Sequence, residues 1–245
     1  KAGIIKPRSI LCLGETDEEI EDIFISESPQ KIYRRNLDFE CFANDLAVGG
    51  RQLGLRTMQN TYENIFLAQH GSHQGNNASI ALAASESFLE TGIPEDIVEL
   101  ALREINLPGR FEVITSAPLF VLDGAHNPPG AIAAAQTLRN GFANNGRRIL
   151  IVGMTEEKDA DWMLSSLDAD QADLIICTQA ESPRSMDAKT LTEVASSLNE
   201  NVLASSSPKE ALDKAFESAS DEDVIFGTGS MYVVGALREA YESFK

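Results

Sequence analysis

Four short blocks in the second half of the sequence combine residue types suited to acid–base, nucleotide or carboxylate chemistry. The first, Asp123-Gly-Ala-His126-Asn127-Pro128, sets a carboxylate, an imidazole and an amide within five residues. Asp123 suits a neighbouring ring or a ribose hydroxyl, and His126 and Asn127 stand where a following helix N-terminus favours phosphate. The same letters also spell an Asn-Pro turn with a helix cap. Lys158-Asp159 and Ser182-Pro183-Arg184 bring cations suited to gripping a carboxylate, or simply solvated charges. Gly227-Thr-Gly229-Ser230-Met-Tyr232 resembles a dinucleotide fingerprint but fails at its sixth position, and it falls near the end of the sequence. Its glycines instead suit close backbone approach, leaving the Ser230 N–H and hydroxyl at a helix start. Arg110, after Pro108-Gly109, is either a surface cation or a group that reaches a phosphate between domains. Gly71-Ser-His73-Gln74-Gly-Asn-Asn77 opens an Ala-rich helix with Asn at or near its N-cap. No G-x-x-x-x-G-K-[ST], H-E-x-x-H, nucleophile elbow or metal-ligand cluster occurs in the sequence.

The elements that must position these blocks follow from hydropathy. Short β-branched runs at Leu119–Leu122, Ile149–Val152, Leu174–Cys177, Val202–Leu203 and Val224–Phe226 alternate with amphipathic segments near Gly130–Phe142, Asp161–Leu167, Ala188–Leu198, Pro208–Ala219 and Met231–Phe244. That alternation predicts a doubly wound, mostly parallel α/β sheet, with Phe111–Thr115 as an edge strand. Ligands gather beyond the carboxyl ends of such strands, which is where the four blocks fall. Upstream, the pattern predicts helices over Asn77–Leu89 and from Pro94 to about Ile105, a linker at Leu107–Arg110, and an irregular first seventy residues containing a strand at Ser9–Leu13. The domains expected are 1–107 and 108–245.

With 38 acidic against 20 basic residues the net charge is -18, which repels nucleic acid and anionic membrane surfaces at long range. Cys12, Cys41 and Cys177 are odd in number and far apart, as expected of reduced structural thiols. With no apolar run long enough to span a bilayer and no signal peptide, a cytoplasmic protein is expected, and a first residue other than Met suggests a fragment or processed product.

Taken together, the blocks resemble the folylpolyglutamate synthase/dihydrofolate synthase family of the Mur ligase superfamily. Lys1-Ala-Gly-Ile, Gly71-x-His-Gln-x-x-Asn77-Ala, Leu107-Pro-Gly-Arg-Phe-Glu, Asp123-x-Ala-His-Asn-Pro, Gly153-Met-x-x-x-Lys-Asp, Ser182-Pro-Arg and Gly229-Ser are similar to the family's motifs in order and rough spacing. The resemblance implies the back part of a central ATPase domain followed by a complete Rossmann-like domain, with the P-loop region lying upstream. It implies ATP and Mg2+ as cofactors. The implied substrates are L-glutamate and a dihydropteroate or tetrahydrofolate polyglutamate, joined through an acyl phosphate by an ATP-dependent amide-forming ligase that is inactive as this fragment. Carried over by motif, Asn77, Arg110 and Asp123 serve the nucleotide, with Asn77 at the adenine and Arg110 at the phosphates. Lys158, His126, Arg184 and Ser230 serve catalysis and glutamate, and Lys1 is a carbamylated lysine supporting a metal. Neither a nucleic-acid nor a membrane partner is implied, and a monomer is expected. A non-catalytic nucleotide-binding module and a cell-wall Mur ligase stay open beside this reading. The choice between the dihydrofolate and polyglutamate reactions is open too.

Overall fold

The computed structural model describes residues 2–14, 17–142 and 146–243, in two compact units, Lys1–Asn106 and Leu107–Lys245. Lys1 lies outside the described residues.

In the first unit a parallel pair, β1 (Ile10–Leu13) and β2 (Lys31–Arg34), flanks α1 (Glu18–Ile25). Asp17 caps α1 by accepting the Glu19 and Ile20 amides, and no α1 residue is buried, so its acidic face is solvated. An antiparallel meander then runs through β3 (Glu40–Ala47), β4 (Gly50–Arg56) and β5 (Thr61–Leu67). This corrects the irregular stretch expected before residue 70. The strands are polar and interrupted, with bulges between Cys41 and Ala43 and between Leu53 and Leu55, so the alternation is broken where it should be read. The visible signal was Val48-Gly49, a two-residue turn whose Gly49 adopts φ +79. Leu53, Leu55, Tyr62, Ile65 and Leu67 pack against Ala78 and Leu82 of α2 (His73–Leu89) and Val98 of α3 (Glu95–Glu104).

In the second unit one sheet has the order β10-β9-β8-β11-β7-β6. Its members are β6 (Glu112–Ser116), β7 (Leu119–Leu122), β8 (Arg148–Val152), β9 (Leu174–Cys177), β10 (Val202–Ala204) and β11 (Val224–Thr228). All pairings are parallel except the edge strand β6 against β7. The central strands are apolar on both faces because both are covered. α4 (Pro128–Gly141), α5 (Ala160–Ser166) and α6 (Ala188–Ala195) share one apolar layer with Val121, Leu150, Val152 and Phe226. α7 (Pro208–Ser218) and α8 (Met231–Glu242) share the other with Phe120, Leu122, Ile149 and Ile225. The loops after β7 and β8 therefore lead to one face and the loop after β11, between them, to the other. Adjacent loops that part in this way open a crevice at the carboxyl end of the sheet. Among the described residues no helix is long and apolar enough to cross a membrane.

Candidate functional site

Asp123 leaves the end of β7 with both carboxylate oxygens engaged. Oδ2 accepts the Phe111 N–H and Oδ1 the Ala125 N–H, each at 2.8 Å. Burial pushes this carboxyl up, against the pull of those two amides and of Arg110 and His126 nearby. His126 is exposed, and its Nδ1 lies 2.9 Å from the Gly124 carbonyl. A carbonyl only accepts, so Nδ1 is the donor in this contact.

Asn127 caps α4 by accepting the Gly130 amide at 2.9 Å. Pro128 and Pro129 have no N–H, so the helix start holds fewer open donors than the sequence suggested. The cationic side chain beside this corner is Arg110, whose charge acts on the Asp123 carboxylate.

Arg110 is set by its neighbours. Gly109 and Phe111 both adopt left-handed φ, +69 and +45, and Phe111 is buried between Phe142 and Phe226 at centroid distances of 5.2 and 6.1 Å. The Gly109 carbonyl accepts the Gly124 amide at 2.7 Å. The φ of Gly124 is not positive, and what this residue supplies is room, because a Cβ there would collide with the Met231 sulfur.

The second group sits after β8, β9 and β11. Lys158 is half-buried in a turn closed by its own amide on the Thr155 carbonyl, 3.1 Å. That loop is sewn to the next: the Glu156 N–H donates to the Arg184 carbonyl and the Met186 N–H to the Met154 carbonyl, each at 2.9 Å. The Arg184 guanidinium is exposed; its Nη2 donates to the Tyr232 hydroxyl at 3.2 Å, and it stands over that ring at 5.9 Å. The Tyr232 hydroxyl, followed by the Glu157 charge, holds Arg184 above its ordinary range, hence firmly cationic. Ser230 is buried at the N-cap of α8, its oxygen accepting the Tyr232 and Val233 amides at 3.2 and 3.3 Å. Its hydroxyl proton stays available to an acceptor. Gly229, at φ +102, lets this turn pass close to β8, since a Cβ there would stand 2.6 Å from the Gly153 oxygen.

The first turn of α8 thus joins the two groups, with Met231 against the Gly109 and Gly124 turns and Tyr232 holding Arg184. Tyr232 was passed over in the sequence as the residue that spoiled a dinucleotide fingerprint. Its aromatic ring one turn into a helix beside Ser230 was the available signal.

In the first unit, Asn77 is exposed in the second turn of α2 and donates to Gln74 Oε1 at 2.9 Å. It is not the N-cap: the helix starts at His73, and Ser72, in the cap position, makes no side-chain bond. The helix begins early because Gly75 lets it press on Asn44 and Cys41, where a Cβ would come within 2.5 and 2.7 Å. Asn44 in turn holds the Ser72 carbonyl at 2.7 Å and is itself held by Arg51. Burial, and secondarily Arg51, lowers the His70 imidazole below its ordinary range. Among the described residues no group of three or more His, Cys, Asp or Glu is placed to hold a metal ion.

Residues 109–231 match the family model described as Mur ligase, glutamate ligase domain. The dihydrofolate synthase/folylpolyglutamate synthase of Mycobacterium tuberculosis is 31% identical over 98% of this chain and 55% of its own length. The structure of the M. tuberculosis folylpolyglutamate synthase complexed with ADP superposes with a TM-score of 0.91 at 30% identity, covering 98% of this chain and 57% of that one. A bifunctional folylpolyglutamate synthase/dihydrofolate synthase with Mn, AMPPNP and L-glutamate bound gives a TM-score of 0.81 at 25% identity, over 99% and 55% of the two chains. The chain spans little more than half the length of these relatives.

Proposed function

The chain belongs to the Mur ligase family through its glutamate ligase domain, and from that membership we propose that it is the carboxy-terminal portion of an ATP-dependent ligase joining L-glutamate to a folate or dihydropteroate carboxylate. One observation carries the reading: the first turn of α8 packs Met231 against the turns that lead to Arg110 and follow Asp123, and holds Arg184 through Tyr232, at the carboxyl end of one sheet. A guanidinium on either side of that turn, Arg110 and Arg184, suits two anionic reactants. The relatives that bind ADP, AMPPNP and L-glutamate support the same assignment.

A carboxylate is a poor electrophile until one of its oxygens becomes a good leaving group, and ATP, when bound, supplies that activation as a phosphoryl group. Arg110 offers its guanidinium to the phosphates, and His126 serves catalysis from the neighbouring turn. Asp123 holds the turn that carries Arg110, and its remaining lone pairs face the ribose side. Arg184 grips a glutamate carboxylate, Lys158 balances the charge nearby, and Ser230 donates its hydroxyl proton to the same substrate. Asn77 serves the adenine from residues 1–107, the back of the ATP-binding domain, and 108–245 form the ligase domain. The divalent ion is expected to be Mg2+, with Lys1 and segments upstream around it. A cytoplasmic monomer completes the proposal.

The test is glutamate-dependent ADP release with dihydropteroate or tetrahydrofolate as acceptor, measured on this chain and on the protein extended to the length of its relatives. Activity in the extended protein alone is the expected result. A folded, ATP-binding extended protein that is silent with both acceptors would remove folate as the substrate.

A further inference from the structure

The motif blocks include Arg110 but not what holds it. Glu112, on β6, and Arg238, in α8, form a pair in which Arg238 Nη1 donates to both Glu112 carboxylate oxygens, at 2.7 and 2.9 Å. The Glu112 side chain is only 16% exposed and that of Arg238 35%. Glu112 Oε2 also accepts the Gly109 N–H at 2.9 Å. Gly109 is the left-handed residue immediately before Arg110, and its carbonyl is held by Gly124 at 2.7 Å. Phe111, the left-handed residue immediately after, is held by Asp123 at 2.8 Å. Arg110 therefore stands between two backbone positions in a sparsely populated conformation, each fixed from outside the turn. The Asp123 side of that clamp lies inside the Asp123-x-Ala-His-Asn-Pro motif. The Glu112 side depends on an arginine more than a hundred residues away on another element.

We infer that the Glu112–Arg238 pair is a latch that positions Arg110, so that both are positioning residues for nucleotide phosphate recognition. The inference rests on the proposed placement of Arg110 at the phosphates. Arg238 fixes the Glu112 carboxylate, the carboxylate fixes the Gly109 amide, and the amide sets the direction in which the next side chain leaves the turn. Lysine at 238 keeps the charge but loses the planar fork that meets both oxygens. Glutamine at 112 keeps one acceptor and turns an NH2 toward the guanidinium.

Steady-state KM values for ATP and for glutamate, in the protein extended to the length of its relatives, test this in R110A, R238A, R238K, E112Q and the R110A/R238A double variant. R238A is expected to raise the ATP KM about tenfold, the loss associated with one charge-assisted hydrogen bond, with less than about a twofold change for glutamate. R238K should recover part of the loss. In the R110A background R238A should add nothing further, because its whole effect passes through Arg110. An R238A effect of equal size with and without Arg110 would make the pair a general brace of the fold and overturn the latch. So would an ordinary ATP KM in R238A beside an impaired R110A. An ordinary ATP KM in R110A itself would instead remove Arg110 from the phosphates, and the latch with it. Should R238A fail to fold, amide hydrogen exchange in R238K and E112Q decides. Faster exchange at Gly109 with unchanged protection in β8 and β11 supports the latch, and an unchanged Gly109 amide overturns it.

Discussion

Gly229 and Arg184 show what single residues contribute. Gly229 combines φ +102 with a backbone oxygen 2.6 Å from where a Cβ would stand, so Gly229→Ala incurs both a conformational and a steric cost. A loss of about 2 kcal/mol or more is expected from the midpoint of urea unfolding; an unchanged midpoint would show that β11 and β8 separate freely. Arg184 is exposed, so its removal should leave stability nearly untouched. Arg184→Ala is expected to raise the glutamate KM more than the ATP KM, and equal changes would count against its assignment to glutamate. Tyr232→Phe, which keeps the ring under the guanidinium and removes the hydroxyl, should show a smaller effect in the same direction. Which side chains carry charge or a nucleophilic atom could be read directly from the sequence. Their supports, Tyr232, Glu112 and Arg238, could not, because an ordinary Tyr, Glu or Arg on a strand or helix is indistinguishable from a solvated one until its partner is known.

At the scale of elements, the cap residues carry much of the positioning. Asn127 and Ser230 each satisfy amides of the helix that follows and also stand in the motif blocks. Replacing either by Ala should cost about 1 kcal/mol by urea unfolding. Only Ser230→Ala should also lower glutamate turnover at saturating ATP, since its hydroxyl keeps a proton to donate while the Asn127 oxygen is spent on Gly130. The second unit was legible element by element because caps, prolines and β-branched runs coincide there. Asp187 and Ser207 cap where the pattern predicts a start, and Asp159 caps a helix that begins one residue ahead of the expected Asp161. The meander of the first unit was not legible. β3, with an intermediate or exposed residue at every position, has no clear apolar face, and bulges shift the period of β3 and β4. The early start of α2 was hidden for a related reason: contact with β3, made through Gly75, sets that boundary more than the local cap preference.

For the molecule as a whole, the second unit draws both of its apolar layers from its own residues, so residues 107–245 alone are expected to unfold in one cooperative urea transition. A broad transition with dye-binding apolar surface would show that it depends on more of the chain. Its acid stability has an identifiable source. Asp223, buried at the start of β11, accepts the Ser220 and Arg147 amides at 2.9 and 2.7 Å and pairs with the Arg147 guanidinium. The amides and then the guanidinium hold its carboxyl at about 2, against the desolvation that opposes them. The folded value lies below the unfolded 3.8, so the contribution is present above that pH and lost as pH falls toward 2. Asp223→Asn should be less stable at neutral pH and should flatten the loss of stability across that window, as followed by urea midpoints. The sequence alone determined the alternation that makes a parallel sheet, the polar blocks at its carboxyl ends, and through them the family resemblance. Those are local features, written in neighbouring residues. The tertiary structure alone decided that β11 lies between β7 and β8, that the first turn of α8 links the turn before Arg110 to Arg184, and that an arginine in α8 braces the turn before β6. Each depends on contacts between residues far apart in the chain, and local periodicity carries no record of such pairings.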